Sequence, residues 1–315
     1  MLPSRELGRS GIKIPAVMLG GNVFGWTLDE AESFRVLDAA VERGLSAIDT
    51  ADMYSNWLPG HVGGESERII GNWLRTRGNR DKVMIATKLG HNMGPGKEGL
   101  SARYIVQAVE ASLTRLRTDY IDLYQAHRDK PETPLEETLG AFDGLIKAGK
   151  VRAIGASNYT AARFAEALAV SAANGLARYE TLQPLYNLVA REEYEGALQD
   201  LCVAEGIGVI NYYALAAGFL TGKYRNVEDA AGPRGGSVRG YCNEKGFGVL
   251  AALDRAVVRL GGTPAQVALA WVMTRPGIAA PIASATKVEQ LDDLVAATAL
   301  RLDAKALADL DAASA

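Results

Sequence analysis

The 315-residue chain reads as a single α/β domain, a (β/α)8 TIM barrel with an N-terminal β-hairpin and extra helices. Three observations predict this. Short apolar runs of β character alternate with longer amphipathic segments, the order of successive βα units and not of a sandwich or a helical bundle. Eight such runs occur, and the length suits one barrel carrying insertions. Several runs also end in a polar or charged side chain, where a barrel gathers its chemistry at the C-terminal rim of its strands.

The elements follow in order. Short β-like stretches at residues 5–7 and 13–14, joined through Gly8 to Gly11, predict a hairpin able to plug the bottom of the barrel. The barrel strands are predicted at residues 16–20, 46–49, 83–88, 120–125, 151–156, 180–184, 206–212 and 279–283. A helix over residues 29–43 follows a start signal at 27–29, and one over 102–117 has Ser101 as its N-cap. Pro134 opens another helical run through Lys147, stopped by Ala148-Gly149, with Pro in the first turn and Gly past the last. Residues 54–64 and 224–246 are Gly-rich, follow the second and seventh strands, and read as irregular loops on the substrate-facing rim. The last helical pattern, LDAKALADLDAASA, ends soon enough that residues 301–315 are not expected to cover the barrel mouth, which predicts an open site.

Composition narrows the function classes. A hydrophobic fraction of 48%, a charged fraction of 23% and a formal net charge of −3 are those of a globular protein without an electrostatic footprint for nucleic acid. No window approaches the ~18 uninterrupted apolar residues of a membrane span, and the N-terminus lacks a signal-peptide apolar stretch. A cytoplasmic protein with no membrane partner is the expectation. Cys202, in a helical segment, and Cys242, in a Gly-rich loop, suggest neither a disulfide nor a redox pair. The three His and two Cys lack ligand spacing, so no metal is expected.

Four strand-end positions carry the chemistry: Asp49 and Tyr54 in AIDTADMY, Lys88 in VMIATK and His127 in DLYQAH. A tyrosine with an ordinary pKa of about 10 needs a neighbouring cation to act as a proton donor and acceptor near neutral pH. Lys88 can supply that cation, and Asp49 can keep a buried ammonium paired. His127 could hold a carbonyl oxygen. His61 and His91 lie in loops without a strand-end context, which favours His127 among the three. Each residue alone also has an ordinary reading: Asp49 as a cap, Tyr54 as loop packing, Lys88 as a snorkelling surface group, His127 as a satisfied rim residue.

Seven ordered blocks resemble the aldo-keto reductase superfamily over almost the whole chain: IDTADMY, IATK, DLYQAHR, RAIGASNY, LQPLYN, INYYALAAGFLTGKY and SATKVEQLDDLV. The resemblance implies NAD(P)H-dependent oxidoreductase chemistry, with Tyr54 as general acid, Asp49 and Lys88 tuning it, and His127 orienting the carbonyl. Ser157, Asn158 and Gln183, whose hydroxyl and amides can hold a carboxamide, match the family's nicotinamide-amide ligands. Tyr212 matches the aromatic that stacks on the nicotinamide, with core packing as the plain alternative. Leu215, Gly218 and Lys223 match the pyrophosphate loop; alone, that segment would read as a Gly-bearing turn with a solvated lysine. Gly21, Asn22 and Asp49, together with Ser284, Thr286, Lys287 and Gln290, complete the cofactor set that the resemblance implies.

Two departures bear on detail. Relatives place Arg near Thr286 and Asn near Leu294 on the adenosine end of NADP, so Lys287 is left to meet a 2′-phosphate as a flexible point charge. NADP(H) is the expected cofactor, with NAD(H) not excluded. Relatives also carry Tyr-Ser-Pro where this chain has Tyr212, Tyr213 and Ala214, which frees the backbone and adds bulk beside the ring site. In GGESERIIG, Glu65 and Glu67 read as a helix start favoured by the dipole. Trp57, Leu58 and Pro59 read as a wall of the substrate pocket or a loop anchor, and Trp26 as a further wall residue.

Three functions fit these features. The first is a reductase of a small aldehyde, ketone or sugar-like carbonyl, working as a monomer or small homo-oligomer. The second is a cofactor-binding regulatory protein on the same fold, as the β-subunits of potassium channels in this superfamily are. The third is a Schiff-base aldolase barrel using Lys88.

Overall fold

The computed structural model describes residues 2–315. It opens with an antiparallel hairpin of β1 (Ser4–Glu6) and β2 (Lys13–Pro15), Ser4 opposite Pro15. Gly8 has a φ of 62°, and a Cβ there would meet the Glu180 carbonyl oxygen at 2.1 Å, so only glycine fits where the hairpin presses on the barrel. Leu7, Ile12 and Ile14 pack with Met18, Ala47, Met84, Leu123 and Ile210 in the interior, so the hairpin closes the bottom as expected.

The barrel then alternates β3 (Met18–Gly20), α1 (Glu30–Glu42), β4 (Ala47–Asp49), α2 (Glu65–Arg77), β5 (Met84–Leu89), α3 (Ala102–Leu116), β6 (Ile121–Ala126), α4 (Leu135–Lys147), β7 (Val151–Ser157), α5 (Ala161–Asn174), β8 (Tyr179–Gln183), α6 (Ala197–Glu205) and β9 (Gly208–Val209). After β9 come α7 (Gly235–Arg239), α8 (Glu244–Leu260), α9 (Pro264–Met273), β10 (Ile282–Ala283), α10 (Glu289–Ala299) and α11 (Ala304–Ser314). The eight parallel strands run β10-β3-β4-β5-β6-β7-β8-β9. Backbone bonds from Val209 N to Gly277 O (3.0 Å), Ala279 N to Val209 O (2.8 Å) and Ile282 N to Asn211 O (2.9 Å) close the ring. The fold is a (β/α)8 barrel.

Local chemistry explains the boundaries. Asp29 caps α1 in a reciprocal box with Glu32, and Ser101 caps α3, which ends where Arg117 turns left-handed at φ 53°. Pro134 sits one position outside α4, as its N-cap, and not in the first turn. The seventh strand is shorter than predicted because Gly206 is the left-handed cap of α6, and beyond Val209 the chain bonds irregularly, Tyr212 N to Pro184 O. The eighth is shorter because Ala279 belongs to the closing seam and Pro281 has no N–H for a ladder. Residues 224–246, expected to be irregular, contain α7 and the start of α8. No helix among the described residues is long and apolar enough to cross a membrane.

Period-two alternation places the site. Ala47, Met84, Ala86 and Leu123 fill the lower interior, so Asp49, Lys88 and Gln125, two residues further along the same faces, form a polar layer above them.

Candidate active site

Lys88 is fully buried. Its Nζ donates to Asp49 Oδ1 (2.9 Å) and Oδ2 (2.7 Å) and to the Thr50 carbonyl (2.7 Å), which uses all three ammonium hydrogens. Gln183 Nε2 donates to Asp49 Oδ1 at 2.9 Å. Burial pulls the Lys88 pKa down, and Asp49 pulls against it without fully offsetting it.

The Tyr54 hydroxyl donates to Asp49 Oδ2 at 3.4 Å, and its ring centroid lies 4.9 Å from Lys88 Nζ. The expectation that Lys88 draws the Tyr54 pKa down is not met. Burial raises it well above the usual phenol value, and the Asp49 carboxylate adds to that. The reason is geometric: Lys88 directs its donors at Asp49 and Thr50, so the phenol meets the anion of the pair. Tyr54 is therefore firmly protonated, the form in which it can donate.

His127 stands just past β6, its N–H bonded to the Leu89 carbonyl at 2.8 Å and its ring edge-on to Tyr54 at 6.3 Å. Burial, then the Lys88 charge, holds its pKa well below the usual imidazole value, so the ring is neutral. Nδ1 is buried without a partner, whereas Nε2 opens to the cleft. The proton belongs on Nε2, where an acceptor can reach it.

A cleft of ≈ 710 Å³ runs from these groups across the barrel mouth. Asp49, Tyr54, His127, Asn22, Ser157, Asn158, Gln183, Tyr212, Leu215, Gly218, Lys223, Ser284, Thr286 and Gln290 all line it, and no residue of 301–315 does. Three predicted site residues stand off the wall. Lys88 is behind Asp49, Lys287 is exposed and held through its backbone, its N–H donating to Gln290 Oε1 and its carbonyl accepting from Gln290 N, and Gly21 is packed so that a Cβ would meet the Asp49 carbonyl at 2.9 Å. Of the expected wall at 57–59 only Trp57 lines the cleft; Trp26 packs edge-on against it at 5.4 Å.

The amides are already organised. Asn158, held at a left-handed φ of 58°, donates to the His127 carbonyl and to Ser157 Oγ, both at 3.0 Å, and accepts from the Tyr212 hydroxyl at 2.9 Å. Ser157 donates to the Gln183 carbonyl at 2.7 Å. Gln183 Oε1 is left as the free acceptor facing the cleft, the atom a carboxamide N–H would need. Beyond Tyr212, Tyr213 (φ 55°), Ala216 (φ 48°) and Ala217 (φ 56°) are non-glycine residues in left-handed backbone, pinned by Asn187 donating to the Tyr213 carbonyl at 2.9 Å. This is where the chain departs from Tyr-Ser-Pro. Gln290 Oε1 accepts from the backbone of Thr286 and Lys287 at the start of α10, and Ser284 donates to Asn22 Oδ1 at 2.6 Å.

Sequence reasoning missed several wall residues. Arg234 lies over the Trp26 ring at 5.4 Å, and with Arg128 and Lys223 it makes three cations lining the cleft with no carboxylate ion-pair partner among the described residues. Arg234 is brought there by α7, inside the stretch read as loop. His91 lies edge-on to His127 at 4.3 Å; the missed signal is that β5 continues through Leu89, so His91 is only two residues past a strand. Among the described residues no cluster of His, Cys, Asp and Glu could hold a metal.

Acid–base groups at one end of an elongated cleft, with amides, hydroxyls and unpaired cations along the rest, define a nucleotide-dependent barrel oxidoreductase. The family model for the aldo/keto reductase family matches residues 16–315. The chain is 36% identical to the aldo-keto reductase AFTS1 of Alternaria alternata, over 95% of this chain and 88% of that protein. It is 37% identical to the uncharacterized oxidoreductase YrpG of Bacillus subtilis (strain 168), over 96% and 92%, and 33% identical to Protein tas of Escherichia coli (strain K12), over 98% and 96%. The chain belongs to the aldo/keto reductase family and is an NAD(P)H-dependent oxidoreductase.

Proposed function

We propose that this enzyme moves hydride between NADP(H) and a small aldehyde, ketone or sugar-like carbonyl, acting on the matching alcohol in reverse. The observation that carries the proposal is the Tyr54 hydroxyl bonded to the Asp49–Lys88 pair, beside a His127 whose Nε2 opens to the same cleft. When bound, the nicotinamide supplies the hydride. Ser157, Asn158 and Gln183 would hold its carboxamide, Tyr212 its ring face, Leu215, Gly218 and Lys223 the pyrophosphate, and Asn22, Ser284, Thr286 and Gln290 the adenosine end. Gly21 and Lys287 act from outside the wall, Gly21 by packing and Lys287 as an exposed charge toward a 2′-phosphate.

In reduction, His127 Nε2–H fixes the carbonyl oxygen and Tyr54 delivers its proton there. The tyrosinate left behind is the charged form that burial disfavours. Lys88, 4.9 Å from the ring, is then the cation that limits its cost. A Schiff base on Lys88 is disfavoured, because that ammonium is fully buried and saturated with acceptors.

Titration with NADPH and with NADH, followed by turnover of a panel of small aldehydes, methylglyoxal and keto sugars, tests the reading. Tighter binding of NADPH with carbonyl-dependent oxidation is expected. Tight binding with no turnover across the panel would favour the regulatory reading, and borohydride trapping of substrate on Lys88 the aldolase.

A further inference from the structure

We infer that His91 is a second substrate-binding donor, and that the enzyme takes carbonyl compounds bearing an oxygen acceptor on the carbon next to the carbonyl, such as α-hydroxy ketones and α-dicarbonyls. The inference deepens the proposed function and rests on it.

Gly90, at φ 107°, turns the chain back immediately after β5 and brings His91 into the cleft wall. Its ring is edge-on to that of His127, 4.3 Å between centroids at 81°, and so stands one ring away from the group that holds the carbonyl oxygen. Arg128 Nε is bonded to His91 Nε2 at 3.2 Å. A guanidinium only donates, so His91 Nε2 carries a lone pair and the ring proton sits on Nδ1. Burial and then the nearby Arg128 charge bring the His91 pKa down to about 4, which keeps this neutral tautomer at physiological pH. Nδ1 has no protein partner and is not sealed from solvent.

Two adjacent neutral imidazoles on the same cleft wall therefore each keep one N–H without a protein partner. A carbonyl oxygen and an oxygen on the neighbouring carbon are separated by about one hydrogen-bond length and fit that pair of donors. A plain alkyl neighbour would leave the Nδ1–H of His91 without an acceptor once substrate excludes water, and that unmatched donor discriminates against it.

The test compares hydroxyacetone with butanone, in which a methyl replaces the hydroxyl, under NADPH-dependent reduction. Wild-type enzyme is expected to favour hydroxyacetone by about tenfold or more in kcat/KM, the scale of one hydrogen bond. His91→Phe keeps a ring against His127 but has no N–H; it should lower kcat/KM for hydroxyacetone about tenfold more than for butanone. His91→Gln, which restores an N–H, should recover part of the preference. Equal treatment of the two ketones by wild type overturns the inference. So does an equal loss on both in His91→Phe, which would make His91 only a support for His127. Failure of the underlying reading looks different: neither ketone is turned over by wild type although NADPH binds, and the inference falls with it.

Discussion

Asp49→Asn is the perturbation with the most directly worked consequence. The substitution keeps the shape and an acceptor for Gln183 but removes the only carboxylate bonded to a fully buried ammonium. Breaking one side of a buried pair costs about 3–5 kcal/mol. The variant can escape by folding with Lys88 neutral. The cost is then about 1.4 kcal/mol for each pH unit below the ordinary lysine value of 10.5: about 5 kcal/mol at pH 7 and about 2 kcal/mol at pH 9. The sign follows from proton counts. A lysine whose folded pKa is depressed holds fewer protons folded than unfolded between the two pKa values, so stability rises with pH there. Urea unfolding of both proteins at pH 7 and pH 9 reads this. The variant should be about 3–5 kcal/mol less stable at pH 7, with the gap at pH 9 no more than about 2 kcal/mol. Adding Lys88→Met should restore much of the loss, because an apolar replacement leaves no stranded charge. A gap under about 1 kcal/mol at pH 7, or one that does not narrow at pH 9, would mean that Asp49 does not hold a buried charge on Lys88.

Two further outcomes are expected. Difference absorbance between wild type and Tyr54→Phe, recorded without cofactor, should show no tyrosinate from position 54 below pH 10, because burial and Asp49 both raise that pKa; an ionisation below 10 would mean that Lys88 dominates the phenol after all. Lys223→Met should raise the NADPH Kd about tenfold, the loss of one charge-assisted contact, with kcat little changed. An unaltered Kd would remove Lys223 from the cofactor site.

What the sequence revealed and what it concealed have physical reasons. The barrel was legible because buried parallel strands are short apolar runs separated by amphipathic helices, and β3, β4, β5, β6, β7 and β8 fall within or close to those runs. The polar strand ends were legible too, since period-two alternation turns Asp49, Lys88 and Gln183 inward without long-range information. His91 and Arg234 were not. Each reaches the cleft through a fold-back after a strand, at Gly90 and through α7, and no periodicity encodes where such a segment lands. The Tyr54 environment was misjudged for a related reason. A pattern puts Lys88 near the phenol, but only three-dimensional geometry reveals that its three donors are already committed to Asp49 and Thr50.

The role of Tyr54 as proton donor is read by steady-state NADPH oxidation in Tyr54→Phe, with a carbonyl that wild type reduces, alongside the NADPH Kd of both proteins. A fall in kcat of about 10² to 10⁴-fold with the Kd unchanged is expected. Retention of most of the wild-type turnover would contradict it.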